Sequence, residues 1–369
     1  MLVLQSRGPV SGPAAAVLPS LAPEGRRGGR TTETGSCLPG VPDPGDNSRY
    51  TIGMQPTGIL LDERFRRHAT GPGHPESPNR LKVIEEALAA AGLLAECVPI
   101  PAVAAPDAVL QMVHTHDYLT RLDAACRQGY PYIDVPDSAI CPESFEIARL
   151  AAGGVIEAAR RVARGDLKRA FCAVRPPGHH AEADRSMGFC LLNNVALAAM
   201  VLKTEFKFDR LLVLDFDVHH CNGTQNTFLG DPGVLVISLH GHPAYLYPGT
   251  GFETETGTGQ GRGYTMNIPL EPGSGDDEAR EAFKARVVPA VGRFAPQMIL
   301  LSAGFDAHRD DPLGNLAFND ETFVWMTELI CELAERHAQG RVVSVLEGGY
   351  NPEVLARCVP AHVRTLRAA

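Results

Sequence analysis

The chain contains no C-x-x-C pair, and its nine cysteines lie scattered from Cys37 to Cys358. An odd count without paired spacing argues against a disulfide framework and against a structural zinc ribbon. It suits reduced thiols filling core gaps in a cytoplasmic protein. No apolar run approaches the ~18 residues that a membrane-spanning helix needs, so no membrane partner is expected. A long basic block is missing too. Lys and Arg number 34 against 43 Asp and Glu, the net charge is -9, and both signs are spread along the chain. Direct nucleic-acid binding is therefore not expected. No internal repeat is visible, and nothing in the composition opposes a homo-oligomer.

The remaining composition, 44% hydrophobic and 21% charged, is ordinary for a globular protein. Residues 1–53 are rich in Pro, Gly and Ser and show no periodicity. Such a segment buries too little apolar surface to offset its ordering entropy, so it is expected to be a disordered N-terminal extension. It lacks the basic start and unbroken apolar stretch of a secretory signal. Residues 54–369 are expected to form a single domain. Short apolar runs stand at 58–61, 171–174, 211–214, 234–239, 298–303 and 342–346, alternating with helical patterns near 80–91, 144–164, 194–204, 277–293, 320–337 and 352–366. Near-continuous apolar runs suit parallel strands covered on both faces, and the alternation predicts a doubly wound α/β domain.

Polar, titratable residues follow these runs. "FCAV" leads to Arg175-Pro-Pro-Gly-His179-His180, and "LLVL" to Asp215, Asp217, His219 and His220. "VLVISL" leads to His240, "MILLSA" to Gly304-Phe-Asp306, and "VVSVL" to Glu347-Gly-Gly-Tyr350. Open parallel sheets bind ligands beyond the carboxyl ends of their strands, so these residues are expected to meet in one crevice. Strand alternation predicts that Asp215, Asp217 and His219 share a face and that His220 points away. Asp217, His219 and Asp306 would give a metal three N/O ligands with one position left for water, the arrangement of catalytic zinc sites. His179 and His180 are placed for proton transfer, with Asp215 and Asn222 as partners that fix their tautomers. Tyr350, presented by two glycines, can donate to a developing oxyanion. Any one of these histidines alone would more simply be a satisfied core residue; the joint pattern carries the argument.

The motifs "RPPGHHA", "MGFCLLNN", "DFDVHHCNGTQ", "PGTG", "SAGFDAHRDDPLG" and "EGGYN", with "GHPESPNRL" upstream, resemble in order the zinc-dependent histone deacetylase family. The resemblance covers roughly residues 56–366. It is closest to the class II-like branch, near bacterial deacetylase-like amidohydrolases and acetylpolyamine amidohydrolases. It implies a three-layer, arginase-like α/β fold around a central, mainly parallel eight-stranded sheet. It also implies zinc, or ferrous iron, on Asp217, His219 and Asp306. By the same resemblance His180 is the general base and acid, held by Asn222, with His179 and Asp215 in electrostatic support and Tyr350 polarising the substrate carbonyl. Gly188, Phe189 and Tyr247 are implied as walls of a narrow channel for an acyl-lysine stem, and Leu313 as the apolar residue usual there in protein deacetylases. A potassium ion is implied near Asp215, Asp217, His219, Ser238 and Leu239. The substrates implied are acetylated lysine in a protein or peptide, or a small acetylated amine.

One departure concerns Cys221, where the family usually has Gly; a positive φ there would cost stability or shift the loop. Among weaker candidates, His114 and His116 are expected to serve a helix start and packing. His68 and His74 precede the first helix, and His74, in an "HPE" turn the family shares, is expected to shape the loop. The resemblance implies that Arg80 lines an internal cavity, and a buried ion pair is the plainer expectation. Asp134, Asp137 and Glu143 lie in a loop where no single residue is assigned. The competing readings are an acetylpolyamine amidohydrolase, a binuclear manganese ureohydrolase and a non-catalytic acyl-lysine binder. A binuclear site would need further carboxylates at Cys221 and His308.

Overall fold

The computed structural model describes residues 56–369; the extension expected over residues 1–53 lies outside them. Eight strands form one sheet: β1 (Thr57–Leu60), β2 (Val98–Pro99), β3 (Arg169–Cys172), β4 (Leu211–Asp215), β5 (Val234–Gly241), β6 (Thr265–Leu270), β7 (Met298–Ala303) and β8 (Val342–Leu346). Their order is β2-β1-β3-β8-β7-β4-β5-β6, and every pairing is parallel. All residues of β1, β3, β4, β5, β7 and β8 are buried, as strands covered on both faces must be.

The helices of the layers are α1 (Asn79–Ala90), α2 (Leu93–Glu96), α3 (Asp107–Leu110), α4 (His116–Arg127), α5 (Ser144–Arg164), α6 (Asn194–Glu205), α7 (Asn222–Phe228), α8 (Asp276–Ala282), α9 (Val288–Phe294), α10 (Asp320–His337) and α11 (Pro352–Ala368). Helix α1 packs on α11, α10 on α11, and α5 on α6. The helix expected over 277–293 is α8 and α9 joined through a π-helical turn, Phe283–Val287.

Three sequence expectations need correction. Strand β3 runs from Arg169 to Cys172, two residues before the predicted run. A charged residue hid its start: buried Arg169 donates to Glu335 and to backbone carbonyls near the C-terminus. Strands β2 and β6 were not anticipated, and both are edges. There Pro99 and Pro269 are tolerated because an edge strand needs fewer ladder donors.

The register sets the height at which each loop leaves the sheet. Across the four central strands Cys172 pairs with Val345, Val345 with Ser302, and Ser302 with Asp215. The segments after β3, β8, β7 and β4 therefore depart side by side, where the winding of the chain reverses.

Candidate active site

Strand β4 stops at Asp215, so the face-sharing of Asp217 and His219 does not come from pleating. The chain bends instead. Asp215 Oδ1 accepts from the Asp217 amide and Asp217 Oδ1 from the His219 amide, each at 2.9 Å, two successive aspartate turns. The bend turns Asp217 and His219 toward Asp306, which follows β7. His220 faces elsewhere as expected, bonded to Thr250 Oγ1 and Gln225 Oε1.

His219 Nδ1 lies 3.1 Å from Asp217 Oδ1 and 3.2 Å from Asp306 Oδ2. The other oxygen of each carboxylate is occupied. Asp217 Oδ2 accepts from Gly348 N at 2.7 Å, and Asp306 Oδ1 accepts from Val218 N at 2.9 Å. Backbone donors thus aim one oxygen of each carboxylate at the imidazole nitrogen. Ligands ~2.0 Å from a tetrahedral ion stand ~3.3 Å apart, so these separations fit a small divalent cation. The surroundings fit it as well. A Cβ on Gly304 would overlap Asp217 Oδ2, and one on Gly348 would overlap Asp306 Oδ2. Among the described residues no Lys or Arg donates to either carboxylate.

Electrostatics point the same way. Burial and the neighbouring Asp217 push the Asp306 carboxyl up to about 7. Burial opposes charge on His219, yet its hydrogen bonds to Asp217 and Asp306 hold it up to about 10. Without an ion, the cluster binds a proton where a cation fits.

The loop after β3 brings the two histidines. His179 Nδ1 donates to Asp215 Oδ2 at 3.0 Å; burial opposes its charge, but Asp217 and Asp215 raise it to about 10. His180 Nδ1 lies 2.6 Å from Asn222 Oδ1. Burial, with His179 and His219 close by, pushes His180 well below the usual histidine range, so it stays neutral. Asn222 sits at the start of α7, preceded by Cys221 with φ -78°, so the departure at Cys221 imposes no left-handed strain.

A cavity of about 250 Å³ reaches this centre, lined by Asp137, His180, Gly188, Phe189, His219, Leu246, Tyr247, Leu313 and Tyr350. Gly188, Phe189, Tyr247 and Leu313 thus stand together in its wall. Gly188 (φ 52°) and Phe189 (φ 67°) are both left-handed, an unfavourable state for the aromatic residue. A side chain at Gly188 would overlap the His180 ring. Phe189 meets Tyr350 edge-on at 5.8 Å and His74 at 4.8 Å. Tyr350 is fixed from behind: its amide donates to Asp311 Oδ2 at 2.7 Å, and Asn351 caps α11. Burial, with Asp306 and Asp217 near, raises its hydroxyl well above the usual range, so it stays protonated and can donate.

Ser238 and Leu239 are buried on β5, with Ser238 in register beside Asp215. His240 bonds to Ser238 and to the Gly251 carbonyl. His308 turns away, accepting from the Asp310 amide and facing Asp320 Oδ1 at 2.9 Å. His114 bridges the Glu182 carbonyl and the Asn193 amide, and His116 opens α4. Asp134 pairs with Arg121 and caps Ser186 N, whereas Glu143 stands near Arg67.

Asp137, one of the loop acids left without an assignment, lies in the channel wall. Two residues escaped the sequence reading. Glu76 is fully buried and joins Arg175, at 2.5 and 2.7 Å, to Arg80, at 3.0 Å. Arg80 in turn donates to the Gly349 and Glu347 carbonyls and lies over the Tyr350 ring. Glu182 accepts from Asn222 and Asn226. The "HPE" spelling hinted at Glu76 alone; a buried partner 99 residues away has no local signature.

Residues 74–366 match the family model described as histone deacetylase domain. The chain is 42% identical over 300 residues to a probable deacetylase of Archaeoglobus fulgidus, covering 80% of this chain and 82% of that protein. It is 38% identical over 327 residues to the histone deacetylase-like amidohydrolase of Pseudomonas aeruginosa, covering 84% and 86%. Histone deacetylase 5 of Arabidopsis thaliana is longer: identity is 40% over 324 residues, and the match spans 48% of its length. The crystal structure of the HDA15 HD domain superposes with a TM-score of 0.81 at 38% identity, covering 85% of this chain and 90% of that one.

Proposed function

Because the chain belongs to the histone deacetylase family, we propose that it is a zinc-dependent deacylase hydrolysing the amide of acetylated or short-acylated lysine, or of a similar linear amine. The observation carrying this reading is the convergence of His219 Nδ1, Asp217 Oδ1 and Asp306 Oδ2 at the foot of an apolar channel. A zinc ion on those three ligands, or ferrous iron in its place, would supply a water of lowered pKa and polarise a carbonyl oxygen.

The rest falls to the chain. Phe189, Tyr247, Leu246 and Leu313 exclude water and admit a thin, unbranched stem. His180, neutral and with its Nδ1 engaged by Asn222, offers Nε2 to accept a proton and return it to the departing amine. His179, charged against Asp215 and Asp217, offsets the carboxylate charge below. Tyr350 donates its hydroxyl proton in a hydrogen bond to the carbonyl oxygen as negative charge develops. A potassium ion beside Asp215 and Ser238, held with Asp217, His219 and Leu239, belongs to the same proposal. The orientation of His308 toward Asp320 weighs against a binuclear centre, which would need a carboxylate in its place.

The test is hydrolysis by zinc-reconstituted protein of a panel: acetyl-lysine peptide, acetylspermidine, acetylputrescine and longer acyl-lysines. Turnover of the lysine amides, lost on chelation, is expected. Tyr350→Phe should cost ~10²–10³ in kcat while zinc stays bound, and His180→Ala a similar factor. A near-wild-type rate for either variant would overturn that residue's role. Preference for the polyamines would favour the acetylpolyamine reading, and bound zinc without any turnover the non-catalytic one.

A further inference from the structure

Resting on the role given to His180, we infer that Glu182 is a positioning residue that fixes which nitrogen of His180 carries the proton. An asparagine amide can face its neighbours either way round, and the orientation is decided by what surrounds it. Asn222 has its Oδ1 2.6 Å from His180 Nδ1 and its Nδ2 2.6 Å from Glu182 Oε1. The remaining contacts of that Nδ2, to the His180 carbonyl at 3.4 Å and Met187 Sδ at 3.5 Å, are long and weak. Glu182 also accepts from Asn226 Nδ2, at 2.9 and 3.0 Å.

A carboxylate only accepts hydrogen bonds, so the Asn222 group facing Glu182 must be the amino group. The carbonyl oxygen then faces His180, and because it too only accepts, the proton must reside on His180 Nδ1. Nε2 is left bare on the channel side. Inverting the amide would set two oxygens 2.6 Å apart at Glu182, and the carboxylate forbids that. Without the carboxylate the amide is free to turn its amino group to Nδ1. The proton would then move to Nε2, and the base would be lost.

The backbone carrying Glu182 is itself held. Its amide donates to the Arg185 carbonyl at 3.0 Å, and its carbonyl accepts from His114 Nδ1 at 2.9 Å. Its side chain is buried, and a Cβ on Gly223 would overlap the Ala181 carbonyl, so α7 and the histidine loop are pressed together. Asn222 and Glu182 thus meet across an interface with little freedom.

The experiment compares Glu182→Gln, Asn222→Asp and the double variant Glu182→Gln/Asn222→Asp, all reconstituted with zinc. Each is assayed on acetyl-lysine peptide or whichever panel amide turns over fastest. In Glu182→Gln the new amide satisfies Asn222 in either orientation, so kcat should fall ~10- to 100-fold with KM, zinc content and melting temperature little changed. The double variant moves the carboxylate beside His180 Nδ1, where it again only accepts, while the new amide donates to it. Its kcat should recover at least ~10-fold over Glu182→Gln. Asn222→Asp alone faces two carboxylates against each other and should be worse than the double variant.

An unchanged kcat in Glu182→Gln would overturn the inference. So would a Glu182→Gln variant whose melting temperature falls along with kcat, with a double variant that restores the melting temperature but not kcat, since that marks a merely structural carboxylate. His180→Ala separates the two levels. If it is inactive while Glu182→Gln is fully active, only the role of Glu182 fails; if it retains activity, the proposed chemistry fails.

Discussion

Glu76, Arg175 and Arg80 lie buried at the same end of the sheet as Asp217, His219 and Asp306, yet the two groups handle charge in opposite ways. In the first, one carboxylate meets two guanidinium groups whose remaining donors reach the Phe65, Gly349 and Glu347 carbonyls. Burial opposes its ionisation, but Arg175 and Arg80 hold Glu76 down at about 2. Within that group every guanidinium nitrogen donates to an acceptor, and the charges are met from inside it. In the second, two carboxylates converge on one imidazole, and Asp306 is forced up rather than down. A buried ion cluster that closes on itself is scaffold. One left short of positive charge is built to receive a cation.

Breaking the closed cluster should have the largest effect. Glu76→Gln leaves two guanidinium groups buried without their counter-charge and should cost ~3–5 kcal/mol, read as a fall in the denaturation midpoint. The loss should be the same with zinc or with chelator, since Glu76 touches none of the three residues proposed to hold zinc. A variant as stable as wild type would show that the cluster is hydrated and the comparison false.

The open cluster should respond in the reverse sense. Zinc at ~100-fold above its Kd stabilises a folded site by about 2.7 kcal/mol. In Asp306→Asn that gain should vanish, while the zinc-free variant should be no less stable than zinc-free wild type, because a repelling carboxylate is gone. Differential scanning calorimetry with and without chelator measures both. A zinc-free variant that unfolds much earlier than wild type would make Asp306 a structural residue instead.

The same contrast explains what could be read from the sequence. The open cluster announced itself because each of its members comes shortly after a run of Leu, Val or Ile, as Asp306 comes after "MILLSA". Level strand ends then did the assembling, through pairings such as Ser302 with Asp215. The closed cluster left almost no trace. Glu76 and Arg175 are ordinary charged residues until folding puts them 2.5 Å apart. Edge strands carrying proline, the left-handed Phe189 and the unstrained φ of Cys221 escaped for a related reason: each is set by tertiary packing, not by local pattern.

The smallest effect expected concerns acid, and it divides the closed cluster into its parts. His68 lies 3.8 Å from Glu76, with Nδ1 2.7 Å from Ser144 Oγ, and burial outweighs that carboxylate to push its pKa down to about 3. A histidine kept neutral in the fold binds its proton in the unfolded chain first. Its stabilising contribution is therefore whole above about 6.5 and drains away as pH falls toward about 3. Glu76, with its pKa lowered from 4.5 to about 2, begins to lose its own contribution only below the lower of those starting points. Between pH ~7.5 and ~5.5 only the histidine of this pair titrates, and it should remove about 1.4 kcal/mol. Urea denaturation at the two pH values should therefore show His68→Gln losing less stability than wild type by about that amount. Equal losses in the two proteins would mean that His68 is already charged in the fold, with Glu76 compensating it, and that the cluster closes around three cations instead of two.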